Sequence, residues 1–419
     1  MILLRASLLG FVAAIVVSCG GVHRSPGPEA RVAAQNLAAQ AGTRASAEQS
    51  RFQLFAQVFD QVRTQYVDEV DDKVLLTAAA NGMRAKFPEP TKAKEGKLVG
   101  AAIDGLLASL DPYSTYLNNR NYKAVRDQTR GDFGGIGLQV TKKGEFIKVI
   151  SPIDGTPAAA AGLKANDEIT HADGHSLSGL TLRTAVLRLR GPAGSSVTLT
   201  IQRGTEPPFD VAIERARIHI KAVRWAREDK LGYLRISSFT SKATKEFVEA
   251  FEALRKDATD GLNGVVLDLR NNPGGLLDQS IQISDALLEG GEIVSTRGRS
   301  EARYFKAHEG DIAAGLPIVV LVNGGSASAA EILAGALKDH GRAILIGDKT
   351  FGKGSVQTII PFSKHDGLKL TTARYYTPSG KSVEGGIEPN IAVAQDPERE
   401  GDEQRERAVL ELSRLVAAR

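Results

Sequence analysis

The chain has a single cysteine, Cys19, few aromatic residues (5%), seven histidines and no apolar run of membrane-spanning length. One cysteine excludes an internal disulfide. Lys and Arg number 53 against 49 Asp and Glu, a formal net charge of only +4. Spread along the chain, that excess is not the clustered basic footprint of a nucleic-acid binder, and no nucleic acid is expected as a partner. The histidines form no triad and no metal set. His171 and His175 have helical ligand spacing, but Asp173-Gly174 between them signals a turn. Neither a metal nor another cofactor is expected.

What is present begins at the N-terminus. Arg5 precedes an apolar stretch over 6–17, shorter than the ~20 residues that cross a bilayer. A basic start and a short apolar core read as a secretory signal. The stretch ends in Val16-Val17-Ser18-Cys19, which resembles the bacterial lipobox, where the cysteine is lipidated and becomes the new N-terminus. Residues 1–19 are therefore expected to be a lipoprotein signal peptide. Cys19 would then anchor the chain to a membrane on the periplasmic side of a bacterial cell envelope. An ordinary cleaved signal and an uncleaved anchor are the alternatives.

The 419 residues, 42% hydrophobic, suffice for two or three domains at roughly 100–200 residues each. Residues 20–50, rich in Ala, Gly, Pro, Ser and Gln without a clear apolar stripe, read as a flexible tether. Phe52, Phe55, Phe59, Val62 and Tyr66 then recur at spacings of three and four, the mark of an amphipathic helix. Further helices are expected over 74–86 and 100–110, ended by Asp111-Pro112-Tyr113-Ser114. Over 131–217 short strand candidates (136–140, 146–150, 197–201) alternate with Gly, Pro and Asp turns, and 181–189 looks helical. After this β-rich module come apolar runs without alternation, at 265–267, 318–322 and 343–346. Helical stretches at 280–288 and 329–338 separate them. Such runs suggest strands buried on both faces of an α/β core. The tail, 396–419, carries a mixed-charge helix that reads either as a docking or dimer-contact helix or as a plain surface helix.

Two segments could carry chemistry. Asn323-Gly324-Gly325-Ser326-Ala327-Ser328 lies between a buried strand and a helix. A serine there stands near unpaired N–H groups that suit an oxyanion. On this segment alone, capping the helix is the more ordinary role for Ser326 or Ser328. The run Gly347 to Gly354 approaches a phosphate-binding loop, but Gly354 stands where that loop needs Ser or Thr to hold a metal. Lys353, flanked by glycines just after a buried strand, fits another role. Burial lowers a lysine's pKa from its ordinary value of about 10.4, enough to supply a neutral amine as a base. Serine–lysine pairs are a variant of the triad logic, and Gln357 could orient the amine.

Over residues 52–393 the chain resembles the carboxyl-terminal processing peptidases, or tail-specific proteases. The marks are Leu110-Asp111-Pro112-Tyr113-Ser114, the run 268–275 ending Asn272-Pro273-Gly274-Gly275, Gly325-Ser326-Ala327-Ser328-Ala329, Thr350-Phe351-Gly352-Lys353-Gly354-Ser355-Val356-Gln357, and the run 370–380. The resemblance implies Ser328 as nucleophile, Lys353, 25 residues later, as general base, and Gln357 as the residue that positions it. It implies an oxyanion hole from the backbone N–H groups of Gly274 and Ala329. It also implies a PDZ domain at 131–217, whose Gly135-Ile136-Gly137-Leu138 loop captures a chain terminus beside an added strand. Two positions depart from the family pattern. Ala330 replaces a third, non-catalytic serine, and Asn166 replaces a glycine at a turn whose left-handed backbone Asn tolerates.

The expected architecture is thus multidomain α/β (α+β). It comprises a helical N-terminal region (51–130), the PDZ domain, a crotonase- or ClpP-like α/β core (218–395) and the tail helix. The expected substrates are proteins with unstructured C-terminal tails, with a homo-oligomer or an adaptor left open. Two other readings are a catalytically silent PDZ scaffold and a crotonase-fold enzyme acting on acyl thioesters. The N-terminal reading has its own test: a palmitate analogue fed to cells should label the wild-type chain and leave Cys19→Ser unlabelled. Equal labelling of both removes the lipid anchor.

Overall fold

A computed structural model describes residues 25–42, 51–153, 155–219, 221–395 and 401–418. Cys19 and the signal sequence lie outside the described residues. The chain divides into two units. One comprises residues 126–222 with 240–242, and the other takes the remainder.

The smaller unit is built on an antiparallel sheet with strand order Leu138–Lys143, Phe146–Pro152, Glu168–Ala172, Ser196–Gln202, Phe209–Glu214. Alternate residues such as Ile147, Val149, Ile169, Val197, Leu199 and Ile201 fill one core, and the helix Leu182–Leu189 contributes Ala185 and Leu189. Thr181 caps that helix by accepting the Thr184 N–H at 3.2 Å. A two-stranded ribbon, Asp132–Gly135 with Ala216–His219, closes the ends of the insertion. The first strand starts two residues later than the sequence suggests, because Gly137 turns with φ +81° and its position leaves no room for a Cβ beside Thr156. Asn166 adopts φ +72°, the left-handed turn expected of it.

The larger unit contains two sheets. The first has order Val223–Glu228, Leu231–Ile236, Gly264–Asp268, Ile318–Val322, Ala343–Gly347, Ile391–Ala392, parallel from the second strand onward. Every residue of Gly264–Asp268 and of Ile318–Val322 is buried, which is why these runs show no alternation. On one face Val266, Val319, Leu321 and Ile346 meet Ala408 and Leu412 of the last helix, Glu403–Ala417. That tail helix is therefore an integral layer of the core.

The second sheet is antiparallel and centres on Gly367–Tyr376. That strand pairs with Thr115–Leu117, Gly291–Gly298 and Ser355–Pro361. Four N-terminal helices, Pro28–Gln40, Phe52–Gln65, Asp72–Lys86 and Glu95–Ala108, share a cluster with Leu368 and Leu370 of this sheet. Phe52, Phe55, Phe59 and Val62 are all buried in it, as their spacing predicts. The tether expected over 20–50 needs correction, because Pro28–Gln40 is a packed helix. Its buried face is made of four alanines, Ala30, Ala33, Ala34 and Ala38, with one large residue, Leu37, at helical spacing. An alanine stripe carries too little apolar contrast to stand out in the sequence, yet it lets helices approach closely. Among the described residues no helix is long and apolar enough to cross a membrane.

Leu412 is fully buried against three strands of the first sheet. Leu412→Ala should cost about 2–5 kcal/mol through lost burial and the cavity left behind. A thermal or urea melt reads this, and an unchanged midpoint would mean the tail helix does not pack there.

Candidate active site

The strand Ile318–Val322 runs into the Asn323–Ala327 turn, and Ser328 opens the helix Ala329–Asp339. Two serines compete for attention here, and their surroundings differ. Ser326 is fully buried; its hydroxyl donates to the Leu269 carbonyl at 2.8 Å and accepts the Asn323 N–H at 3.0 Å. Ser326 is thus committed to holding the turn. Ser328 is half-buried and takes φ +55°, ψ −116°, a conformation non-glycine residues rarely adopt. Backbone strain of this kind costs about 1–3 kcal/mol and persists only where its surroundings impose it.

The imposition comes from Glu331, whose carboxylate is completely buried. One oxygen accepts the Thr350 hydroxyl at 2.6 Å and the Gly352 N–H at 2.7 Å. The other accepts the Ser328 N–H at 2.8 Å and the Lys353 N–H at 2.9 Å. The Thr350 hydroxyl in turn accepts the Ile387 N–H at 2.7 Å. A single acid therefore fastens the backbones of the serine turn and the lysine loop together. Sequence reasoning passed over Glu331, although Ser328-Ala329-Ala330-Glu331 has the Ser-x-x-Glu spacing of a capping box.

The opposite wall is the turn after Gly264–Asp268. Gly274, at φ +99°, sits so close that a Cβ there would lie 2.8 Å from the Ser328 Cβ and 3.0 Å from the Ala329 nitrogen. Its N–H donates to the Asn272 side chain at 2.9 Å, and that amide donates to the Ile236 carbonyl. Ala329 stands in the first helical turn, where N–H groups have no partner within the helix. The expected pair Gly274 and Ala329 is thus brought together at Ser328, with one of the two donors held by Asn272.

Behind this wall Asp268, fully buried, accepts the Tyr233 hydroxyl at 2.6 Å, Arg235 at 2.9 Å and Arg270 at 2.8 Å. Burial works to raise its pKa, but the bonds from Arg270 and Tyr233 outweigh it and hold the carboxyl below the ordinary range. Arg270 also grips Asp402 of the tail through two bonds of 2.6 and 2.7 Å.

Lys353 is half-buried, and the flanking glycines do what their placement suggested. A Cβ at Gly352 or Gly354 would lie about 2.5–2.6 Å from the backbone of 384–386. Burial pushes the Lys353 pKa down, Lys369 adds to this, and Glu331 opposes it. Lys353 Nζ lies 4.9 Å from the centroid of the Tyr113 ring. Among the described residues no hydrogen bond joins it to Ser328 Oγ or to Gln357. Gln357 instead donates its amide to the Ser355 hydroxyl at 3.1 Å and the Thr371 hydroxyl at 3.0 Å. The loop 135–138 belongs to the smaller unit. There the Ile136 carbonyl accepts the Ala158 N–H at 2.8 Å, and the Gly137 carbonyl accepts from Ile153 and Thr156.

Comparison with known proteins gives these residues their context. The Peptidase family S41 model matches residues 230–393, and a PDZ-domain model matches 134–209. A carboxy-terminal-processing protease of Bartonella bacilliformis is 50% identical over 346 residues, covering 81% of this chain and 74% of that protein. A probable CtpA-like serine protease of Staphylococcus aureus is 40% identical over 307 residues, 72% of this chain and 61% of that protein. Among solved structures, a photosystem II D1 C-terminal processing protease superposes with TM-score 0.51 at 32% identity, over 82% of this chain and 93% of that one. A protein described as a putative S41 protease, from Bacteroides fragilis, shares the fold, with TM-score 0.53 at 18% identity over 87% and 97% of the two chains. The protein is therefore a serine peptidase with a PDZ domain. More narrowly, it belongs to the carboxy-terminal-processing proteases of Peptidase family S41. Neither the silent-scaffold reading nor the acyl-thioester reading is favoured by this membership.

Glu331→Gln replaces an acceptor oxygen with an amide group facing N–H donors, leaving buried polar groups unpaired at about 1–3 kcal/mol. It should lower the thermal midpoint and, by loosening both the serine and lysine backbones, reduce peptide hydrolysis about a hundredfold. Wild-type stability and rate in this variant would show that the four bonds do not hold the site.

Proposed function

We propose that the chain is an endopeptidase that cleaves proteins near their C-termini, with Ser328 as nucleophile and Lys353 as general base. The observation that carries the reading is the strained Ser328 at a helix start, packed against Gly274 and tied through Glu331 to the loop that presents Lys353. Neutral Lys353 takes the proton of Ser328 as Oγ bonds to the scissile carbonyl carbon. The N–H groups of Ala329 and Gly274 then receive the negative oxygen, Gly274 after its bond to Asn272 gives way. The C–N bond breaks as the Lys353 ammonium returns the proton to the leaving amine. Water then adds to the acyl-enzyme, giving a proton to Lys353. The Oγ–C bond breaks as the Lys353 ammonium passes that proton to Oγ, which releases the carboxylic acid product and restores both the serine hydroxyl and the neutral lysine. Gln357 positions the amine once it faces Ser328.

In this account the PDZ domain, through Gly135, Ile136, Gly137 and Leu138, captures the unstructured tail of a protein substrate by strand addition. Cys19 anchors the enzyme by lipid to a membrane facing the periplasm of a bacterial envelope. The chain is then organised as a signal peptide (1–19), an N-terminal helical region that includes the helix from Pro28, the PDZ domain, the Ser-Lys core and the tail helix. A homo-oligomer or adaptor would act as a further partner.

Purified protein should hydrolyse a disordered peptide, and Ser328→Ala and Lys353→Ala should each abolish turnover. Because the base acts neutral, kcat/KM should rise with pH through the Lys353 pKa. Burial places that midpoint below the ordinary lysine value of about 10.4. Full activity in either variant would contradict the assignment.

A further inference from the structure

The Asp111-Pro112-Tyr113-Ser114 turn has no part in the proposed reaction, yet a set of hydrogen bonds fixes it in place. It leads from the helix Glu95–Ala108 into Thr115–Leu117, which pairs with the strand Gly367–Tyr376. Asp111 accepts the N–H groups of Tyr113 and Ser114, each at 2.7 Å, and the Ser114 hydroxyl at 2.8 Å. The Ser114 hydroxyl accepts the Thr371 N–H at 3.2 Å, and the Thr371 hydroxyl accepts the Gln357 amide at 3.0 Å. The turn is thereby fastened to the strands that flank Lys353, and this is what sets the Tyr113 ring before the lysine amine at 4.9 Å.

An aromatic face attracts an ammonium and has no comparable hold on a neutral amine. The contact therefore favours the protonated lysine, the form that cannot take a proton from serine. Gln357, the residue expected to orient the amine, is meanwhile engaged with Ser355 and Thr371, part of the same fastening. We propose that Tyr113 is a positioning residue that parks Lys353 as an ammonium on its ring. Release from the ring, with Gln357 freed to receive the amine, is then the step that switches the peptidase on. This rests on Lys353 being the base.

The charged groups that act on the amine are Lys369, which disfavours the proton, and Glu331, which favours it. Both remain when only the ring is changed. Tyr113→Leu removes the aromatic face and keeps apolar bulk; Tyr113→Phe keeps the face. With a disordered peptide as substrate, kcat/KM should be followed as a function of pH up to the ordinary lysine range, below which the Lys353 midpoint falls. The leucine variant should raise kcat/KM at pH values below the midpoint about fivefold and move the midpoint to lower pH, the scale of a partly desolvated cation–π contact. The phenylalanine variant should keep the wild-type midpoint. An unmoved midpoint in the leucine variant, or a fall in its rate with a wild-type melting curve, would overturn the proposal. Lys353 labelled with carbon-13 at Cε and titrated by NMR in a Ser328→Ala background separates the two layers. A midpoint that responds to the ring while the wild type hydrolyses nothing discards the peptidase reading and the switch with it. Hydrolysis by the wild type with an unresponsive midpoint discards Tyr113 alone.

Discussion

One buried carboxylate organises the site. Taking a charge such as that of Glu331 out of water costs several kcal/mol, and it is tolerated only where short, charge-assisted bonds replace the lost solvent. Here four donors do so: Ser328 N–H, Thr350 Oγ1–H, Gly352 N–H and Lys353 N–H. They come from two loops that follow neighbouring parallel strands, Ile318–Val322 and Ala343–Gly347. Parallel strands end on the same side of a sheet, so residues far apart in sequence are delivered to one edge. Glu331 then converts that proximity into a fixed backbone geometry.

The same logic governs the other wall. Asp268 ends the neighbouring strand and is satisfied by Tyr233, Arg235 and Arg270, and Arg270 reaches on to Asp402 at the start of the tail helix. Gln404, also in the tail helix and nearly buried, donates to Asp348 at the head of the lysine loop. The tail thus touches both the turn that carries Gly274 and the loop that carries Lys353. What this framework fixes is backbone. Among the described residues the Lys353 amine lies over the Tyr113 ring and makes no hydrogen bond to Ser328, so the fastened backbone and the placement of the amine are separate features of the site.

Much of this was legible in the sequence. The unalternating runs at 264–268 and 318–322 are buried on both faces, and the phenylalanines from Phe52 to Phe59 line one helix face because three- and four-residue spacing leaves little else to do with them. Lys353 stood out locally through its flanking glycines, whereas the choice of Ser328 over Ser326 and the part given to Gly274 came only from the family resemblance. Other features depend on partners that no local pattern names. The alanine face of Pro28–Gln40 acquires meaning only against the helices it packs on. Glu331 reads as an ordinary first-turn glutamate until the lysine loop arrives above it. The resting engagement of Gln357 with Ser355 and Thr371, and of Gly274 with Asn272, is a matter of side-chain choice among several partners, which spacing does not encode.

The central claim is that Ser328, and not its buried neighbour Ser326, is the nucleophile activated by Lys353. The most direct measurement treats the purified protein with a serine-reactive fluorophosphonate and maps the adduct by mass spectrometry. A single adduct is expected on Ser328, lost when Lys353 is replaced by alanine and retained when Ser326 is replaced by alanine in folded protein. An adduct on Ser326, or undiminished labelling of Ser328 without Lys353, would contradict it.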